Sequence, residues 1–168
     1  MLVTTVFGVL NGFLVSCCKI PPFVATMGTQ YLAQGIGYIV SRVQTMRYPV
    51  VTSPDGWFKR VFYKSLNGFP MGVIYMVILF VIASFIFRYT KIGKYACAIG
   101  SNCEATRLSG VDTRRWTMLV YIIAGVFAGL AGIFYSATYT SVLPGSGSGM
   151  EMNAIAAVVI GGTSLSGG

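Results

Sequence analysis

The sequence has no histidine and only four carboxylates, Asp55, Glu104, Asp112 and Glu151. Without histidine there is no imidazole base for a serine nucleophile and no HExxH zinc helix. No two carboxylates are neighbours in sequence, so paired acid–base chemistry has no basis. A GxxxxGK[ST] phosphate cradle is also missing. Gly145-Ser146-Gly147-Ser148-Gly149 lacks the lysine and the flanking strand that such a loop needs. Cys17 and Cys18 are adjacent, and neither they nor Cys97 and Cys103 fall at a zinc spacing. They read as unpaired thiols. The expectations are therefore no enzyme chemistry, no metal site and no cofactor held by this chain.

Charge is scarce too. Only 10% of the 168 residues are charged, against about 25% in a soluble domain, while 55% are hydrophobic. A chain this short cannot bury so much apolar surface in its own core. Because the apolar residues form long uncharged runs, lipid is the solvent that fits. The net charge of +8 does not point to nucleic acid. The basic residues sit between apolar runs instead of forming a basic face with interleaved aromatics. Such charges set orientation and meet lipid head groups.

Four runs read as membrane spans. The first covers 2–18. No basic flank precedes it and no small-residue cleavage site follows, so a spanning helix fits better than a signal peptide or lipoprotein leader. Pro21-Pro22 breaks it. The second run, 23–40, is uncharged but polar. Thr26, Gln30 and Gln34 recur at i, i+4 and i+8 and share one face, with Gly28, Gly35 and Gly37 as points of close approach. That stripe turns toward a water-filled path or toward another helix as hydrogen-bonding glue. The third run, 70–87, is the plainest span. The fourth, 116–138, carries Gly125 and Gly129 in GxxxG spacing, with Ala124, Ala128 and Gly132 nearby, and this predicts close helix packing. A Pro/Gly/Ser loop follows, then a short apolar, glycine-rich segment over 151–168. The fold class is all-α: a polytopic transmembrane bundle of four spans and an incomplete fifth segment. Beginning inside one apolar run and ending on a glycine-rich turn are expected of a fragment of a larger protein.

Run three places the connections 41–69 and 88–115 on opposite sides. They carry five and six Lys/Arg residues. Arg88, Lys91, Lys94, Arg114 and Arg115 hug the membrane ends and Trp116 sits at an interface, which favours 88–115 as cytoplasmic. This connection has punctuation of its own. Ser101 with Glu104 reads as a capping box, Gly110 as the C′ residue, and Asp112 or Thr113 as the cap of run four. A short helix over 102–109 is predicted. It is either an ordered loop or a contact for a cytoplasmic partner.

Two long motifs carry a resemblance. Residues 91–111, Lys91-Ile92-Gly93-Lys94-Tyr95 through Ala105-Thr106-Arg107-Leu108-Ser109-Gly110-Val111, resemble the main cytoplasmic loop of the ribose/xylose/arabinose-type ABC importer permeases. Residues 150–168, Met150-Glu151-Met152-Asn153 through Gly161-Gly162-Thr163-Ser164-Leu165-Ser166-Gly167-Gly168, resemble the glycine-rich signature of that family. Leu10-Asn11-Gly12 and Ile20 to Thr29 are similar to its earlier helices. The 41–69 connection matches least.

The resemblance implies a simple-sugar permease in the bacterial plasma (inner) membrane, paired with an identical or similar second permease subunit. Two cytoplasmic ABC ATPase chains would bind the ATP, and an extracytoplasmic binding protein would deliver a monosaccharide. It also implies that this chain lacks both ends of the full permease. Asn102, Glu104, Ala105, Arg107, Leu108, Ser109 and Gly110 are then the ATPase-coupling residues. Asn11, Thr26, Gln30, Gln34, Glu151, Asn153, Thr163 and Ser164 border the translocation path. At position 153 the family usually has Asp, and Asn153 removes that charge while keeping an acceptor. The expected mechanism is alternating access, with ATPase closure pushing the 102–109 helix. Two alternatives are a secondary transporter or channel subunit that needs no ATPase, and a structural fragment that transports nothing.

Overall fold

The computed structural model describes residues 1–47, 65–66, 69–139 and 141–163. Most of the 41–69 connection, and Ser164 with the rest of the glycine-rich end, lie outside them. The described elements are helices α1 (Leu2–Ser16), α2 (Pro22–Ser41), α3 (Met71–Tyr89), α4 (Lys91–Ser101), α5 (Cys103–Leu108), α6 (Thr113–Thr138) and α7 (Met150–Ile160). Four two-residue strands form two ladders. In the first, β1 (Met46–Arg47) pairs antiparallel with β4 (Ser141–Val142). In the second, β2 (Ser65–Leu66) pairs with β3 (Phe69–Pro70). The all-α expectation holds, with these ladders as small additions.

Helix boundaries follow local chemistry. Pro22 occupies the first turn of α2, where its missing N–H costs nothing. Arg42 ends α2 in the left-handed region, with φ of 52°, and its N–H reaches the Ile39 and Tyr38 carbonyls. α3 and α6, of 19 and 26 residues, are long and apolar enough to cross a membrane. Four spans were expected, and two helices meet this standard. α1 has 15 residues and rises about 22 Å, short of the roughly 30 Å hydrocarbon core. α2 has the length, but its glutamines, threonines and glycines lower its apolarity.

The bundle centres on α1 against α6, which run antiparallel. An ideal Cβ on Gly8 would stand 2.7 Å from the Tyr121 carbonyl oxygen and 3.1 Å from the Gly125 Cα. One on Gly125 would stand 2.7 Å from the Thr4 carbonyl oxygen. Gly12 faces the Met118 Cα at 3.2 Å, and Gly129 faces Thr4 and Met1. The Gly125/Gly129 spacing therefore does what it predicts, and its partner is a second GxxxG, Gly8 and Gly12. The glycines of α2 behave otherwise. No described atom comes within 4 Å of a Cβ at Gly28, Gly35 or Gly37. α2 meets α1 and the 145–151 segment on its other faces.

The interior holds little that is apolar. Among the described residues only Ala25 and Ala137 are buried hydrophobics, while Phe80, Ile39 and Leu2 are 72%, 79% and 85% exposed. Lipid, not a core of its own, is the counterpart that suits such a surface.

Candidate functional site

The polar stripe of α2 continues past Gln34 to Tyr38, one more step of four. Successive members rise along the helix, with Gln30 about 12 Å and Gln34 about 18 Å from its Pro22 end. What meets this stripe is the segment after β4. Gly145 lies against the Tyr38 hydroxyl and the Gln34 amide, so close that a Cβ there would be 2.7 Å and 2.8 Å from them. Its φ of +90° also favours glycine. Gln34 Nε2 donates to Ser148 Oγ at 3.1 Å, and the Gln30 side chain lies beside the Glu151 carboxylate. From Ser141 to Glu151 the chain thus descends along α2, from the β1–β4 ladder to about the middle of the bundle.

Local bonds fix this descent. Ser146 Oγ accepts from the Leu143 N–H at 3.0 Å and donates to the Leu143 carbonyl at 2.7 Å, closing the turn on itself. The Tyr135 hydroxyl of α6 donates to the Ser146 carbonyl at 3.2 Å. Gly149, with φ of +90°, ends the loop, and its N–H donates to the Glu151 carboxylate oxygens at 3.0 Å and 3.2 Å. A cavity of about 470 Å³ lies between these elements, lined by Gln34, Gly37, Gly132, Tyr135, Gly145 and Ser146 among others. Over residues 22–41, 116–139 and 141–163, Glu151 is the one charged side chain. The site can hydrogen-bond a neutral polar solute.

A second feature lies at the other end. Asn102 Oδ1 accepts from the Glu104 and Ala105 N–H groups at 3.1 Å and 3.0 Å. Asn102 is therefore the N-cap of α5, one residue later than the capping box places it. Ser101 instead closes α4, and its hydroxyl donates to the Ala98 carbonyl at 3.0 Å. Glu104 does not reach back. It lies 3.8 Å from Arg107, both well exposed. The C-terminal end is a Schellman motif. Gly110, at φ of +82°, donates to the Arg107 carbonyl, and Val111 donates to the Thr106 carbonyl. Buried Thr106 ties α5 to α4 through the Ala98 carbonyl at 2.9 Å. Asp112 caps α6, accepting from the Arg115 N–H at 3.3 Å and pairing with Arg115 Nε at 2.9 Å. A cleft of about 700 Å³ opens beside α5, with Lys19, Glu104, Arg107, Asp112, Arg114 and Tyr121 in its wall.

Over residues 1–168 the sequence matches the family described as "Branched-chain amino acid transport system / permease component". The chain belongs to this family. Its relatives include a ribose import permease protein of Escherichia coli, 36% identical over 163 residues, or 96% of this chain and 50% of that one. A D-allose transport system permease protein of E. coli is 34% identical over 168 residues, covering 100% of this chain and 50% of the relative. A fructose import permease protein of Bifidobacterium longum is 34% identical over 164 residues, covering 96% and 45%. This chain spans about half the length of these curated relatives. No solved structure matches it. A permease component is part of a transporter, not an enzyme.

Within this permease-family chain, the expected path residues divide. Gln30, Gln34 and Glu151 come together. Asn11 does not join them. Its Oδ1 accepts from the buried Thr29 hydroxyl at 2.8 Å and ties α1 to α2. The Thr26 hydroxyl is spent on its own helix, donating to the Pro22 carbonyl at 2.9 Å. Asn153 is exposed on α7, and Thr163 is exposed just past the Gly161-Gly162 turn. Ser164 lies outside the described residues. Tyr38, Tyr135, Ser146 and Ser148 were not singled out from sequence. For Tyr38 the signal was present, since it extends the four-residue stripe. For Ser146 and Ser148 there was none beyond a turn-forming composition.

Proposed function

We propose that this chain forms part of a permease subunit in an ATP-driven importer that carries a monosaccharide across the bacterial plasma membrane. The observation that carries this reading is the descent of residues 141–151 along the polar face of α2. Non-helical backbone at membrane depth is tolerated only where protein covers it or a water-filled cavity lies beside it. Gly147, Ser148 and Gly149 are exposed here, and the groups beside them are amides, hydroxyls and one carboxylate. That chemistry matches a polyhydroxylated solute.

In this reading the loop and helices over 90–115 face the cytoplasm, and the β1–β4 ladder faces outward. Gln30, Gln34 and Glu151 border the path, and Asn11, Thr26, Asn153 and Thr163 lie along its continuation. The α5 segment, Asn102 to Gly110, transmits force from two ATPase chains. Those chains bind the ATP, and an extracytoplasmic binding protein supplies the sugar. A second permease subunit completes the bundle. α5 suits this task because both its ends are capped and Thr106 fixes it to α4, so a push on it moves a rigid piece. Nothing in the family or its relatives supports a channel or a secondary transporter.

The test uses the full-length permease with its ATPase chains in proteoliposomes. Glu104→Ala and Arg107→Ala remove an exposed pair that contributes little to the fold. Both variants should assemble and insert normally while sugar uptake and stimulated ATP hydrolysis fall together. Unchanged uptake and hydrolysis in both would overturn the coupling role. Failure of the full-length permease to co-purify with any ATPase chain would overturn the importer reading itself.

A further inference from the structure

We infer that the corner between α3 and α4 is a binding site for the head group of an anionic phospholipid at the membrane edge. Arg88 ends α3, and Lys91 and Lys94 open α4. The fold gathers them. The Gly93 backbone is pressed against the Phe87 carbonyl so tightly that no side chain fits there, which holds the first turn of α4 against the last turn of α3. Farther along α4, Tyr95 meets Trp116 of α6 with ring centroids 4.6 Å apart.

Charge at this end of the bundle is unbalanced. Lys19, Arg88, Lys91, Lys94, Arg107, Arg114 and Arg115 are met by only Glu104 and Asp112. Those two carboxylates face Arg107 and Arg115. Among the described residues none lies within ion-pair distance of Arg88, Lys91, Lys94 or Arg114. Lys91 and Lys94 are exposed, while Ile92, Tyr95 and Ile99 line the side of α4 that is partly covered.

The partner is a lipid because of what surrounds Arg88. Its guanidinium lies 5.9 Å from the centre of the Tyr89 ring. Tyr89 in turn lies 5.3 Å from Phe85. Phe85 and Tyr89 are 59% and 67% exposed on the last turns of a span-length apolar helix. A ligand reaching Arg88 meets exposed aromatic rings as well as a cation. A phosphodiester head group with acyl chains presents that pairing, and a soluble anion does not. Aromatic residues at a span end also mark the head-group level. The inference needs only that α3 and α6 cross a membrane, and it stands if the transport reading fails.

The test is retention of lipid by the purified full-length permease in neutral detergent, read by native mass spectrometry. Phosphatidylglycerol and phosphatidylcholine with the same acyl chains are the probes. The wild-type protein should retain phosphatidylglycerol preferentially. The Arg88→Gln/Lys91→Gln/Lys94→Gln variant should lose affinity on the order of a hundredfold, about fivefold for each cation. The Lys91→Gln/Lys94→Gln pair touches only exposed positions, keeps the test interpretable if the triple variant fails to fold, and should lose roughly twenty-five-fold. Arg42→Gln/Arg47→Gln, at the opposite end, should lose nothing. Equal retention of both lipids, or equal loss in the control pair, would overturn the site. Displacement of phosphatidylglycerol by millimolar inorganic phosphate would also overturn it, by showing that a free anion suffices.

Discussion

A methyl group at Gly125 tests the packing that organises the bundle. A Cβ there would stand 2.7 Å from the Thr4 carbonyl oxygen, 3.0 Å from the Gly8 Cα and 3.3 Å from the Gly8 nitrogen. All three are backbone atoms, so no side chain can swing away. An ordinary carbon–oxygen approach is about 3.3 Å, and restoring it requires α1 and α6 to part by roughly half an ångström. Overpacking of this kind costs about 1–3 kcal/mol. Alanine is also the better helix former by about 1 kcal/mol, and that gain masks part of the cost. Gly132→Ala supplies the correction. It lies in the same helix and no described atom comes within 4 Å of its Cβ. The propensity gain is common to both variants, so the difference between them isolates the clash. Thermal unfolding of the full-length permease in neutral detergent should show Gly125→Ala less stable than Gly132→Ala by about 1–3 kcal/mol. Gly8→Ala should behave like Gly125→Ala, since each meets the other's backbone. Equal stability of Gly125→Ala and Gly132→Ala would refute the close crossing of α1 and α6.

Two further outcomes follow from the polar contacts. Asn102→Ala should destabilise α5 by about 1 kcal/mol, as loss of an N-cap does, and Ser101→Ala should leave it intact; hydrogen exchange of the 103–110 amides distinguishes the two. Gln34→Leu and Ser148→Ala should each raise the KM of sugar uptake, and the double variant should be less than additive because the two share one hydrogen bond; full additivity would show that the bond does not form in the working transporter.

The parts of this fold that were legible from sequence are those governed by local rules. Gly110 as C′, Asp112 as the cap of α6 and the GxxxG face of Gly125 and Gly129 all act within a turn or along one helix. The Ser101–Glu104 capping box failed by one residue because two caps competed. Asn102 offered a side-chain acceptor closer to the free N–H groups, and α4 extended far enough to absorb Ser101. α4 itself went unseen, since its helical period was hidden in what read as a basic connection. The partners of α2 were beyond local reading. Spacing put Gln30, Gln34 and Thr26 on one face, but nothing local could show that Ser148 and Glu151, more than a hundred residues on, descend to meet the glutamines. Nor could it show that Thr26 spends its hydroxyl on the Pro22 carbonyl. The second GxxxG, Gly8 and Gly12, was visible but carried no meaning until its counterpart was known.

The most direct test of the transport account asks whether Gln34 faces water in the membrane. In a full-length permease with its native cysteines replaced, Cys17, Cys18, Cys97 and Cys103 among them, Gln34→Cys is exposed to a charged, membrane-impermeant thiol reagent in proteoliposomes. Ile36→Cys, on the opposite side of α2, is the comparison. The account predicts that Gln34→Cys reacts, that its rate changes when the ATPase chains bind ATP, and that Ile36→Cys reacts only with a lipid-soluble reagent. A Gln34→Cys that ignores the charged reagent in every nucleotide state, yet reacts with the lipid-soluble one, would contradict it.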